Sequence, residues 1–129
     1  MRIALDTSGY TVVLSSPARF PRCLQEADRI YVPTIVLGEL YAGFGMGTRR
    51  EENMADLRDF LSLPGVEVTP VTHEAAERYG ALFGELKRQG TLIPTNDIWI
   101  AATALEAGAR LLSCDAHFDH VPGLIVLAP

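Results

Sequence analysis

The chain has 129 residues, of which 48% are hydrophobic and 21% charged; this is enough for one domain, residues 1–129, with a substantial core, and unlike a disordered polypeptide. A net charge of −5 and a pI near 5.1 argue against a general nucleic-acid coat protein. No run approaches the roughly 18 apolar residues of a membrane span, Met1 to Leu5 lead into Asp6 without a signal-peptide pattern, and the isolated cysteines Cys23 and Cys114 suit a reducing compartment, so a cytoplasmic protein is expected.

The first element is a short apolar strand over residues 2–5, with Asp6, Thr7, Ser8 and Gly9 as the turn that follows it. A short helix is expected over 10–14, broken by Ser15, Ser16 and Pro17, and a second over 21–27. A strand over 30–32 stops at Pro33. Thr34 then caps a helix carrying Val36, Leu37, Glu39, Leu40, Tyr41 and Phe44, and Gly43, Gly45 and Gly47 loosen the chain into a turn. The span 48–61 reads as an amphipathic helix with Met54, Leu57 and Leu61 inward and Arg49, Arg50, Glu51 and Glu52 outward. Pro64 and Gly65 turn it into a strand over 66–68. Thr72 caps the longest helix, which aligns Ala75, Tyr79, Leu82, Phe83 and Leu86 and ends at Gly90.

The next stretch, from Ile93 to Leu105, organises the rest. It turns sharply at Pro94 into a helix whose first turn offers Thr95 or Asn96 as cap, and Ile98, Ala101, Ala102 and Leu105 recur at helical spacing as a buried face. Asp97 stands in the first turn, where the exposed N–H groups and the dipole accommodate a carboxylate. Gly108 ends the helix. A strand over 110–113 leads to Cys114 and Asp115, a short turn spans 116–119, and a last strand spans 124–127.

Short apolar strands alternating with helices imply an α/β fold: a three-layer sandwich in which a mostly parallel sheet of four to five short strands is flanked by helices. In such sheets, sites form beyond the carboxyl ends of the strands. Asp6 and Asp115 follow strands at that end, Asp97 opens a helix facing the same side, and Glu39 lies one turn into a helix leaving the same edge. Singly, each acid has an ordinary role: Asp6 and Asp115 as turn caps, Asp97 as a first-turn charge, Glu39 as a solvated helix residue. Four such coincidences at one edge are a poorer account than one shared site.

Four carboxylates in one pocket repel, and without a counter-charge some retain protons. No lysine is placed to balance them, whereas a divalent metal does. All-oxygen ligands select Mg²⁺ or Mn²⁺ rather than zinc, and such ions activate water for phosphoryl displacement.

Asp6-Thr7-Ser8 after the first strand, Glu39 after a Pro-Thr turn, Thr95-Asn96-Asp97-Ile98-Trp99, and Ser113-Cys114-Asp115-Ala116-His117-Phe118 with Val121-Pro122-Gly123 together resemble the PIN-domain ribonucleases, and most of all the VapC-type toxins of toxin–antitoxin pairs. The resemblance covers essentially the whole chain in order. It implies that Asp6, Glu39, Asp97 and Asp115 bind metal, with Ser113 standing where the family usually has threonine. Thr7, Asn96 and Asp119 are expected as auxiliary residues, although a solvated turn accounts for Asp119 equally well. It further implies endonucleolytic cleavage of RNA, a homodimer and a cognate antitoxin. Arg19, Arg22 and Arg49 are the candidate phosphate contacts.

Three other readings compete. Cys114, His117 and His120 suggest a zinc cluster, but the spacing is short and only distant Cys23 offers a fourth ligand, where structural zinc takes four. Asp6 as a nucleophile forming an aspartyl-phosphate, as in a phosphatase, needs a balancing lysine; Lys87 faces outward, and a second aspartate beside Asp6 is missing. A binding module that cages an ion without turnover is the non-enzymatic alternative.

Overall fold

A computed structural model describes residues 1–15 and 22–129, with the side chain of Cys23 outside that description. Five strands, β1 (Arg2–Leu5), β2 (Arg29–Pro33), β3 (Val66–Thr69), β4 (Arg110–Leu112) and β5 (Val126–Leu127), form one sheet in the order β3-β2-β1-β4-β5. Every pairing is parallel, with Ile3 beside both Ile30 and Arg110. Parallel pairing needs long crossovers, and the helices supply them: α1 (Thr7–Ser15), α2 (Arg22–Gln25), α3 (Thr34–Met46), α4 (Arg50–Leu61), α5 (His73–Gln89) and α6 (Thr95–Glu106). The helices that carry these crossovers flank the sheet, as the expected three-layer α/β sandwich requires.

β1 lies at the centre because it is buried on both sides: Ile3, Ala4 and Leu5 are at most 1% exposed. They join Val32, Leu111 and Leu112 in one hydrophobic cluster with Val36, Leu57, Phe60, Leu82, Leu86 and Phe118. Helix α6 is buried on nearly every side, at Ile98, Ile100, Ala101, Ala102, Thr103 and Ala104, because it packs between α5, α3 and the sheet. Its small residues allow that approach. No helix among the described residues is long and apolar enough to cross a membrane.

Several boundaries differ from the sequence expectation, each for a local reason. Helix α1 starts at Thr7 rather than residue 10, because Asp6 accepts from the Gly9 N–H at 2.7 Å and so caps the first turn. Residue 21 of the expected second helix lies outside the described residues, and α2 is a single turn. Thr34 does not cap α3; Pro33 holds the cap position without a side-chain bond, and the Thr34 hydroxyl donates to the Thr69 carbonyl at 2.8 Å. Helix α3 continues through Gly43 and Gly45 to Met46, since glycine costs only about 1 kcal/mol in a helix that packing can offset. Helix α4 begins at Arg50, not residue 48, and buries Phe60 with Leu57. Pro94, not Thr95 or Asn96, takes the cap position of α6. The last strand is two residues long.

Candidate metal centre at the carboxyl edge of the sheet

The chain order reverses beside β1: β2 and β3 extend to one side, β4 and β5 to the other. Such a switch point opens a crevice beyond the carboxyl ends of the two strands that flank it. Here those ends carry Asp6 after β1 and Ser113 after β4.

Asp6 is 5% exposed and Ser113 4%. Three donors converge on the Asp6 carboxylate. Oδ1 accepts from the Ser8 hydroxyl at 2.8 Å and the Gly9 N–H at 2.7 Å, and Oδ2 accepts from the Ser113 hydroxyl at 2.6 Å. Each hydroxyl oxygen in turn accepts a backbone N–H, Ser113 from Asp115 and Ser8 from Cys114, both at 2.9 Å. The single proton on each hydroxyl is thus spent on Asp6, and the group is a closed set of satisfied polar atoms. Gly9 makes this possible, because a Cβ there would fall 2.2 Å from the Leu112 carbonyl oxygen.

The rim of the crevice is different. Asp97 in the first turn of α6 is 15% exposed, and Asp115, which caps the 3₁₀ turn Ala116–His120, is 40% exposed. His117 stands between them, with Nδ1 3.0 Å from Asp97 Oδ2 and 3.2 Å from Asp115 Oδ1. One ligand atom from each of Asp97, Asp115 and His117 lies within 4.8 Å of the other two. Burial pushes the Asp97 carboxyl above the usual aspartate range; the charges of Asp115 and Glu39 add to this, and the bond to His117 opposes it. Glu39 is half-buried and accepts from the Thr7 hydroxyl at 2.7 Å. Asp6 and Glu39 therefore belong to the same edge without joining the tight Asp97, Asp115 and His117 group.

The auxiliary residues divide. Thr7 and Ser113 hold carboxylates, as above, whereas Asn96 and Asp119 are exposed. Arg22 is exposed on α2, and Arg19 lies outside the described residues. Arg49 is ion-paired with Glu52 and lines a separate groove of about 450 Å³ with Tyr10, Leu40, Phe44, Asn53 and Asp56. The zinc-cluster reading fails on geometry: His117 turns towards Asp97 and Asp115, and no potential metal-binding group among the described residues includes Cys114 or His120. Two residues were not expected in these roles. Ser8, read only as part of the first motif, had a signal in the hydroxyl two residues after an acid. His117, weighed only as a zinc ligand or a surface-turn residue, had one in the Asp-x-His spacing, which brings an imidazole back over the capping carboxylate.

The profile of the PIN domain matches residues 3–124. The chain belongs to the PIN-domain family. This PIN-domain chain is 32% identical to Ribonuclease VapC2 of Rickettsia felis over 104 residues, covering 80% of this chain and 76% of that one. It is 37% identical to Ribonuclease VapC2 of Haemophilus influenzae over 89 residues, covering 69% and 66%. Its fold superposes with a TM-score of 0.88 on a chain in the crystal structure of VapBC2 from Rickettsia felis bound to a DNA fragment from their promoter, at 28% identity and covering 99% and 98% of the two chains.

Proposed function

We propose that this chain is a divalent-metal-dependent endoribonuclease, using Mg²⁺ or Mn²⁺, and the toxin of a type II toxin–antitoxin pair, working as one nuclease domain. The observation that carries the reading is the tight group of Asp97 and Asp115 with His117, with Glu39 close enough to act on Asp97 and Asp6 on the same edge of a PIN fold. The donor set fits a hard cation, being mostly carboxylate oxygen. The raised pKa of Asp97, caused by burial and two neighbouring acids, supports it, because a cation relieves that repulsion.

In this reading Asp97 and Asp115 hold the ion, and Asp6 and Glu39 complete its shell directly or through water. When bound, a divalent ion supplies an activated water and stabilises charge building on the phosphate. The chain's own residues supply the positioning. Ser8, Gly9 and Ser113 fix the Asp6 carboxylate, Thr7 fixes Glu39, and the 3₁₀ turn fixes Asp115 against His117. Arg22, outside the acidic rim, is left for an RNA phosphate.

A cognate antitoxin and a homodimer belong to the same proposal. The groove beside α1, α3 and α4 has apolar walls of Leu14, Leu40 and Phe44, with Asp56 and Arg49 at its edge. Tyr41 on α3 is 45% exposed. Such a surface suits an amphipathic helix, and a basic tail running from it could place a guanidinium among the acids. Incubating the purified chain with total RNA, with Mn²⁺ or Mg²⁺ and with EDTA, tests the reading. Metal-dependent cleavage that EDTA abolishes is expected; cleavage that persists in EDTA rejects it.

A further inference from the structure

His117 is the only nitrogen donor in the tight group at the rim, and its Nδ1 faces two carboxylates at once. Nδ1 stands 3.0 Å from a carboxylate oxygen of Asp97 and 3.2 Å from one of Asp115. A ring nitrogen carries one proton at most, so it cannot serve both acceptors with linear hydrogen bonds. Around an octahedral ion with bonds of about 2.1 Å, however, adjacent ligand atoms stand about 3.0 Å apart. The two separations are those of neighbouring vertices, with the imidazole shared between them.

The surroundings favour the same assignment. Asp97 Oδ1 and Asp115 Oδ2 make no hydrogen bond to another described residue, so both acids keep an oxygen for water or substrate. The His117 N–H donates to Asp115 Oδ1 at 2.9 Å and fixes the residue on the turn. The ring is 49% exposed, which leaves Nε2–H free to bond water, as a ligating histidine requires.

We propose that His117, through Nδ1, is a protein ligand of the divalent ion beside Asp97 and Asp115, and that this nitrogen makes the site prefer Mn²⁺ to Mg²⁺. The assignment rests on the metal-centre reading above. Mg²⁺ demands hard oxygen ligands and sheds water reluctantly, whereas imidazole binds first-row transition ions more readily. Replacing His117 by a carboxylate returns the group to all-oxygen and improves its match to Mg²⁺.

The test is calorimetric titration of the full chain with Mn²⁺ and with Mg²⁺, alongside His117→Gln, His117→Asp and Asp97→Asn, with pulsed EPR of the Mn²⁺-loaded protein. The wild type is expected to show ¹⁴N coupling from a bound imidazole, absent in His117→Gln. His117→Gln is expected to lose about 10-fold or more in Mn²⁺ affinity, and His117→Asp to lower the Mn²⁺-to-Mg²⁺ affinity ratio by a similar factor. Mn²⁺-loaded wild type without ¹⁴N coupling overturns the assignment, as does an unchanged affinity ratio in both His117 variants. If Asp97→Asn also loses the ion in that case, only the role of His117 falls. If the wild type binds no Mn²⁺, or Asp97→Asn binds it as tightly as the wild type, the metal centre falls with it.

Discussion

The crevice has two halves built on opposite principles. In the seam between β1 and β4, Asp6 is almost fully buried yet holds three donors, and the two serine hydroxyls around it have spent their protons. On the rim, Asp97 is less buried but has one side-chain partner among the described residues, His117, and two acids near enough to disfavour its charge. The seam is complete without anything added. The rim gains from a cation. Burial alone does not mark the ligand-seeking part of a site; the balance between burial and donors does.

This contrast is sharpest in the effects of removing charge. Asp97→Asn or Asp115→Asn should cut RNA cleavage by more than about 100-fold, since even outer groups at metal sites cost about 10–100-fold, while circular dichroism stays unchanged. Near-normal cleavage by Asp97→Asn would break the assignment of the rim.

Seam variants should lose stability as well as activity. Gly9→Ala drives a methyl group to 2.2 Å from the Leu112 carbonyl, so α1 must shift, at about 1–3 kcal/mol for overpacking. Ser113→Ala leaves Asp6 Oδ2 and the Asp115 N–H without their partner, at about 1–3 kcal/mol, and Ser113→Thr should recover most of it by keeping the hydroxyl. Urea unfolding of the metal-free protein measures both; an unchanged midpoint in Gly9→Ala would mean that the seam is not tight.

The rim should show the opposite sign. The Asp97 carboxyl titrates above its unfolded value, so the folded state favours the protonated form. Its contribution to stability is fully present below the unfolded pKa and is lost as pH rises through the folded pKa. Metal-free Asp97→Asn should therefore melt slightly above the wild type at neutral pH, with the gain shrinking as the solution is acidified through the range in which Asp97 titrates. A variant that melts lower at pH 7 and recovers in acid would reverse the argument.

The smallest effect lies in the groove. The Tyr10 hydroxyl is buried without a hydrogen-bond partner among the described residues, and burial, with Asp56 and Tyr41 nearby, pushes its pKa up to about 12. Tyr10→Phe removes an unsatisfied group, so the free chain should keep or slightly raise its melting temperature; a loss of several degrees would reveal a partner for that hydroxyl.

Much of this was legible in the sequence because its signals are local. Alternating apolar strands and helices gave the layers, and Thr72 and Gly90 bounded α5 as caps do, Thr72 accepting from Ala75 and Gly90 in the left-handed region at φ 72°. Asp6, Glu39, Asp97 and Asp115 were placed at one edge by the rule for parallel sheets alone. Gly43 and Gly45 misled, since packing of α3 against α4 and α6 outweighs a weak propensity, whereas Gly47 does end the helix as its C-cap.

The sequence by itself determined the fold class, the strand and helix order, and which acids stand at strand ends and helix starts, because periodicity and caps act over a few residues. Only the tertiary structure decided that Ser113 and Ser8 spend their protons on Asp6, that Asp97 lacks such donors, and that His117 faces two carboxylates. Although Ser8 with Asp6 and His117 with Asp115 are near neighbours in sequence, the bonds that lock them in place, Ser113 to Asp6, Cys114 to Ser8 and His117 to Asp97, join residues 20 to 107 positions apart, and they depend on a pairing of strands and a docking of helices that no local pattern encodes.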